Sequence, residues 1–290
     1  MSEFGLEPQK ATHSSATEGT GLPREITPGI HWTGGCLEVM HKGQEVHLFI
    51  SAYLVVGADK ALFVDTGNVE HWSTISKHLD GILGDRPIDY LFPTHPEIAH
   101  AGNLARLLDK YPDAVVVGDV RDYHLFFPEH ADRLRTVAVG ERLDLGGGSE
   151  FVVLEAPIRD LPSTTWGYET SRRVMFVGDG LAYVHPRPEA DAFDVPTHRR
   201  GECGLLDREL PIDVTPNEAE FVTRAALPWS RYTDATRMFD RLDELLEEYP
   251  CELIAPGHGN VITQLDKVVS VIREAFRLAF EDELRKLRAA

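Results

Sequence analysis

Short apolar runs that end in clusters of His, Asp or Glu recur along most of the chain. Continuous runs of this length are typical of buried strands, and apolar positions spaced three and four residues apart predict helices. The runs are HLFISAYLVV, KALFVDTG, IDYLFPTH, AVVVGD, FVVLEAP, RVMFVGD and CELIAPGHG, with the amphipathic segments WSTISKHLDGIL and NLARLLDKY between the earlier ones. The alternation predicts an α/β fold that carries its chemistry on loops at one edge of a sheet.

Other stretches set the expected limits of the domain. Residues 1–25 are polar and rich in Ser, Thr and Gly, which predicts a flexible arm before a domain over residues 26–290. Residues 184–216 are rich in Pro, Arg and Asp without a clear period, so a long loop is expected. Two helices are expected around residues 226–249. The amphipathic segment from Leu265 predicts a helix that packs on the sheet or, alternatively, forms a dimer contact.

The charge balance limits the partners of the chain. The formal net charge is −18, and Lys and Arg form no basic run, so nucleic acid and anionic membrane surfaces are not expected to bind. Neither a secretory leader nor an apolar stretch long enough to span a membrane is evident, which predicts a soluble, cytoplasmic protein. Cys36, Cys203 and Cys251 stand far apart without a CxxC pair, so neither a disulfide framework nor a thiolate zinc site is expected.

The segment THPEIAHAGN carries the strongest chemical pattern in the chain. It places His95, Glu97 and His100 on one turn between a predicted strand and a predicted helix. An isolated histidine is more often a surface residue than a ligand, but two imidazoles and a carboxylate on one turn suit a divalent metal. Asp160, Asp179 and His258 also follow apolar runs, and loops at one edge of a sheet bring such residues together.

Four segments together resemble a known superfamily. FVDTG, THPEIAHAGN, VMFVGDG and IAPGHGN stand in the order of the metallo-β-lactamase signature segments. The resemblance implies an αββα sandwich in which two mixed β-sheets are flanked by helices. The superfamily's first motif usually reads His-x-His-x-Asp-His, and Glu97 takes its middle position, as in the flavodiiron proteins. The stretch from Glu218 to Asn260 also resembles the metal-binding core domain of that subgroup.

The resemblance implies a dinuclear metal site. It assigns His95, Glu97 and Asp160 to one metal, His100 and His258 to the other, and Asp179 to the position between them. His185, six residues after Asp179, resembles a histidine beside the diiron centre of the subgroup, and both residues are predicted to take part in catalysis. This oxygen-rich set favours iron, with zinc or manganese also admitted.

The chain departs from the subgroup at two ligand positions. Ala99 stands where the family has an Asp ligand, so one metal would lose a ligand and gain an open coordination position. Asp160 aligns with a histidine, and the neighbouring Arg159 could pair with its carboxylate instead of leaving it for a metal.

Three functions are compatible with such a site. We expect a hydrolase that uses a metal-bound hydroxide to cleave an ester, lactone or activated aryl ether in a small-molecule substrate. The first alternative is a diiron redox protein that binds O2 or NO and takes electrons from an external donor, since no FMN-carrying flavodoxin-like domain is expected in this chain. The second is a metal-poor, non-catalytic partner subunit. The resemblance further implies a homodimer or an assembly with a related subunit.

Overall fold

The larger of two β-sheets has seven strands. A computed structural model describes residues 21–41, 44–184 and 202–289 of the chain. The sheet has the order β1-β2-β3-β4-β5-β6-β7. Pairing is antiparallel from β1 to β4 and parallel from β4 to β7, so the sheet is mixed. The strands are β1 (Arg24–Thr27), β2 (Ile30–His41), β3 (Gln44–Val56), β4 (Ala61–Val64), β5 (Tyr90–Phe92), β6 (Val115–Gly118) and β7 (Leu134–Thr136).

The second sheet has five strands in the order β12-β11-β10-β9-β8. It is also mixed, because β11 and β12 are parallel whereas the other pairs are antiparallel. Its strands are β8 (Arg142–Gly146), β9 (Ser149–Glu155), β10 (Thr165–Glu169), β11 (Val174–Gly178) and β12 (Leu253–Pro256).

Helices cover the outer faces of both sheets. The α-helices are α1 (Trp72–Leu83), α2 (Ile98–Ala101), α3 (Leu104–Lys110), α4 (Pro216–Ala225), α5 (Thr236–Glu248) and α6 (Leu265–Ala289). Apolar side chains of α1 and α3 pack on the seven-stranded sheet, and those of α4, α5 and α6 pack on the five-stranded sheet. Among the described residues, none of these helices has both the length and the apolar character needed to cross a bilayer.

Aromatic side chains fill the space between the two sheets. Phe176 of β11 packs edge-on against Tyr53 of β3, with ring centroids 5.5 Å apart, and lies 5.8 Å from the ring of Phe151. All three are almost fully buried, and each such side chain contributes about 1.5–3 kcal/mol by leaving water. The two sheets with their flanking helices confirm the predicted αββα sandwich.

Several strands were not predicted, and glycine explains two of them. In β2, Gly34 and Gly35 look like turn residues in the sequence. A side chain at Gly35 would lie 2.4 Å from the His71 ring, so the bare backbone is required for a close approach. In β10, Gly167 has the same function, because its Cβ would lie 2.0 Å from the Phe151 ring.

The predicted arm and long loop are described only in part. Residues 1–20 and 185–201 lie outside the described residues, and β1 begins at Arg24, inside the stretch assigned to the arm. The boundary between arm and domain therefore stays a prediction. The last part of the predicted loop holds two short 3-10 turns, Glu202–Gly204 and Asp207–Glu209, and α4 begins at Pro216.

Candidate dinuclear metal site

Both sheets contribute side chains to one site. His95 lies in the turn after β5 of the seven-stranded sheet, and His100 follows on α2. Asp160 follows β9, Asp179 comes directly after β11, and His258 comes shortly after β12, all in the five-stranded sheet. Because β11 and β12 are parallel, Asp179 and His258 leave the sheet at the same edge.

Asp179 lies at the centre of the site. Its Oδ1 is 3.1 Å from Nε2 of His100 and 3.2 Å from Nε2 of His258. Its Oδ2 is 3.9 Å from Nε2 of His95. One carboxylate therefore faces all three imidazoles, which is the position required of a bridging ligand.

The second group of donors surrounds His95. Its Nε2 is 3.4 Å from Oδ2 of Asp160 and 3.9 Å from Oε2 of Glu97. Arg159 does not pair with Asp160: its guanidinium donates to Glu155 at 2.8 Å. The other oxygen of Asp160 accepts a hydrogen bond from Thr164 Oγ1 at 2.7 Å. Asp160 is therefore held with one oxygen directed towards His95.

The donor atoms that meet here fit metal ions. His95 Nε2, His100 Nε2, Asp160 Oδ2 and both carboxylate oxygens of Asp179 are buried and make no hydrogen bond within the described part of the chain. An unpaired buried polar atom costs about 1–3 kcal/mol, so such a collection is expected where a cation satisfies it. Two overlapping groups have donor atoms within 4.8 Å of one another, namely His95, His100 and Asp179, and His95, Glu97, Asp160 and Asp179.

Each histidine presents Nε2 to the site because its other nitrogen has a partner. His258 Nδ1 donates to the backbone carbonyl of Phe49 at 3.1 Å. His100 Nδ1 lies 2.9 Å from Oδ2 of Asp65, and His95 Nδ1 lies 3.1 Å from the hydroxyl of Thr94. Partners of this kind fix ring orientation and tautomer at metal sites. Asp65 thus orients a ligand.

Thr94 links the two histidines of the motif. Its hydroxyl donates to Asp65 Oδ1 at 2.9 Å and lies within 3.3 Å of Nδ1 of His100. Thr94→Val keeps the shape of the side chain and removes this hydroxyl, so we expect metal affinity to fall about 10- to 100-fold, measured by competition with a chelator. Thr165→Val is the matched control, because the buried hydroxyl of Thr165 has no described partner. Equal affinities in the two variants would contradict this role of Thr94.

The charges of the site stabilise one another. Burial opposes a charged ring at His100, but the carboxylates of Asp65 and Asp179 outweigh it and raise the pKa of His100 well above its usual value. Burial likewise opposes ionisation of Asp179, but His258 and His100 hold its pKa well below the usual range. His95 also lowers the pKa of Glu97. The carboxylates of Asp179 and Glu97 are therefore ionised at neutral pH, as metal ligands must be.

The structure brings six predicted ligands together and leaves one residue untested. His95, Glu97, His100, Asp160, Asp179 and His258 share the site. Glu97 is the most open of them, with 47% of its side chain exposed. His185 lies outside the described residues, so its role stays a prediction. Ala99 is buried and offers no donor atom.

Sequence reasoning did not single out Thr94 or two glycines at the site. Gly178 ends β11 directly before Asp179, and Gly257 stands between β12 and His258, in the patterns VGDG and PGHG. Gly178 has φ +50°, a left-handed conformation that favours glycine, and Gly257 packs against the ring of His100. A glycine immediately before a polar strand-end residue is the signal that could have found them.

Two curated relatives match most of the chain. The coenzyme F420H2 oxidase of Methanocaldococcus jannaschii is 23% identical over 262 residues, covering 86% of this chain and 59% of the relative. The anaerobic nitric oxide reductase flavorubredoxin of Vibrio vulnificus is 24% identical over 256 residues, covering 81% of this chain and 46% of the relative. The chain thus spans less than two thirds of the length of these relatives.

Solved structures show the same fold. A flavo di-iron protein variant from Thermotoga maritima superimposes with a TM-score of 0.67 at 15% identity, covering 87% of this chain and 60% of that one. Rubredoxin oxygen:oxidoreductase from Desulfovibrio gigas gives a TM-score of 0.63 at 18% identity, covering 88% and 61%. The resemblance to the flavodiiron core is therefore confirmed.

These relatives overturn the expected hydrolase. They are named as an oxidase and a nitric oxide reductase, so the prediction of ester, lactone or ether hydrolysis is wrong, although the fold is that of the metallo-β-lactamases.

The family of the chain follows from a match to most of its length. The family model described as ODP family beta lactamase matches residues 48–259, well over half of the 290 residues. The matched range contains every candidate metal ligand. The chain belongs to the ODP family beta lactamases.

Proposed function

We propose that this chain holds a diiron centre that binds O2 or NO and is reduced by an external electron donor. The main observation that supports this proposal is the set of unpaired buried donor atoms around the Asp179 carboxylate. Two of the curated relatives are named for redox reactions, an oxidase and a nitric oxide reductase, and this supports the same class of chemistry here.

The ligand types favour iron. His95, Glu97 and Asp160 would hold one ion, His100 and His258 the other, and Asp179 would lie between them. Mixed imidazole and carboxylate ligands with an open position suit iron that reacts with diatomic gases. Ala99 contributes no donor, so the ion held by His100 and His258 has room for such a ligand.

The proposed irons would supply one-electron redox chemistry and a binding position for the gas. The chain itself fixes the histidines through Asp65, Thr94 and the carbonyl of Phe49. His95, His100 and Asp179 are at most 3% exposed, which limits access of water. Reduction of either gas consumes protons with the electrons, and Glu97 is the ligand that reaches solvent.

Exposed apolar residues that follow β5 and β6 support a protein partner as electron donor. Ile98 follows β5, and Leu125 and Phe126 follow β6, its parallel neighbour. They are 61%, 68% and 63% exposed. Exposed apolar residues of this size mark protein contacts when they group together. The proposed electron donor is a redox protein that contacts these residues.

The test is metal content followed by gas reactivity. We expect anaerobically purified protein to carry about two irons per chain, the number that a dinuclear site holds. After chemical reduction, O2 or NO should change its visible absorption, and added reductant should restore the starting spectrum. Zinc without any gas-dependent change would contradict the proposal. Less than about half an iron per chain would favour the non-catalytic subunit instead.

A further inference from the structure

A second cluster of ligand-type side chains lies apart from the candidate dinuclear site. It consists of Cys36 on β2, His47 on β3 and Cys203 in the 3-10 turn Glu202–Gly204. The sequence separates the cysteines by more than half of the chain, and no thiolate site was expected from it. Folding nevertheless brings two of the three cysteines to one histidine.

The cluster has the dimensions of a metal site. The donor atoms of the three residues all lie within 4.8 Å of one another, and Cys203 Sγ is 3.7 Å from His47 Nδ1. Zinc binds sulfur at about 2.3 Å and nitrogen at about 2.0 Å, so a tetrahedral ion holds such a pair roughly 3.5 Å apart. The observed separation needs little adjustment. Exposures of 2%, 6% and 0% for Cys36, His47 and Cys203 place the cluster in the interior.

The ligands come from one pair of strands and one separate turn. Cys36 lies opposite Phe49 in the β2–β3 pair, and His47 is two residues from Phe49, so Cys36 and His47 face the same side of the sheet. The turn that carries Cys203 is fixed by Asn260, whose amide donates to the carbonyls of Glu202 and Leu205 at 2.9 Å each. Backbone pairing and the Asn260 hydrogen bonds therefore hold the elements that carry the three ligands.

We propose that Cys36, His47 and Cys203 bind a thiolate-preferring cation, Zn²⁺ in the first instance. Two thiolates and an imidazole form a soft donor set that selects zinc, whereas the site around Asp179 is rich in oxygen. Two thiolates also balance the charge of a divalent ion, and loss of the two thiol protons accompanies its binding. The ion joins the Cys203 turn to β3, where the carbonyl of Phe49 fixes His258.

Cobalt distinguishes this site from the one around Asp179. Co²⁺ bound by thiolate gives a near-ultraviolet sulfur-to-metal charge-transfer band, which oxygen and nitrogen ligands do not give. Titration of the full, metal-free chain with Co²⁺ should produce this band, and Zn²⁺ should abolish it. Cys36→Ala and Cys203→Ala should each remove the band. Cys251→Ala is the matched control, because Cys251 lies outside the cluster, and it should retain the band.

A measurement on the unaltered protein covers the case in which a variant fails to fold. Zn²⁺ should slow alkylation of Cys36 and Cys203 severalfold in the native chain, read by mass spectrometry, and leave Cys251 unchanged. Absence of the band in the unaltered chain, its persistence in Cys36→Ala, or a Cys36–Cys203 disulfide in freshly purified protein would each overturn the proposal.

Discussion

Asp179→Asn should remove most of the iron from this chain. The substitution keeps the size of the side chain but withdraws the negative charge that faces His95, His100 and His258. A neutral amide is a poor bridge between two cations, and its NH2 group would point a donor at ligand nitrogens. We expect iron occupancy to fall from about two irons per chain to below about half an iron. Elemental analysis of anaerobically purified protein measures this directly.

Asp207→Asn is the matched control for the bridge. Asp207 is also a buried aspartate, but its carboxylate accepts hydrogen bonds from the backbone of Thr263 and Gln264. Its substitution should cost about 1–3 kcal/mol of unfolding free energy through weakened hydrogen bonds and leave the metal content unchanged. If Asp179→Asn retained both ions, the assignment of Asp179 as the bridge would be wrong.

Gly257→Ala should disrupt the site without removing any ligand. A methyl group there would lie 2.5 Å from Cε1 of His100 and 3.1 Å from the backbone of Gly178. Backbone surrounds this position, because Gly257 donates to Gly178 O and accepts from Ser51 N. The imidazole must therefore move, and displaced ligands lose affinity. We expect metal affinity to fall at least about tenfold, measured by chelator competition.

Gly81→Ala is the matched control for Gly257→Ala, because the same substitution should stabilise the protein there. Gly81 lies within α1, and nothing surrounds its added Cβ within 4 Å. Alanine should raise the unfolding free energy by about 0.5–1 kcal/mol because it favours the helix, with metal content unchanged. Urea denaturation measures the gain.

Normal metal affinity in Gly257→Ala would contradict the prediction for that variant, because it would show that the His100 ring tolerates the displacement.

The strand-end position of the ligands made much of the site predictable from sequence. His95, Asp179 and His258 each follow an apolar run, and the topology of the sheets determines which edge such residues share. Contacts between distant segments left no comparable pattern. Cys36 and Cys203 meet only because the 3-10 turn at residues 202–204 packs against β2 and β3. In the same way, the glycines of β2 resemble a turn until the neighbouring His71 ring is known.

The reaction class was harder to predict than the ligands. A bridging carboxylate between two ions serves a hydroxide-generating hydrolase and a diiron redox site equally well. Electron supply separates the two, and the types of the ligands do not encode it. The named activities of the relatives therefore corrected a function that the ligands left open.

Because the ligands come from both sheets, metal ions at this site would resist mechanical separation of the two layers. His95 and His100 follow a strand of the seven-stranded sheet, whereas Asp160, Asp179 and His258 follow strands of the five-stranded sheet. Opening the interior would then require breaking metal–ligand bonds, which stabilises the native state over the unfolded one. Loss of the ions would be limited by the rate at which the layers part, so excess chelator would strip them no faster at higher concentration.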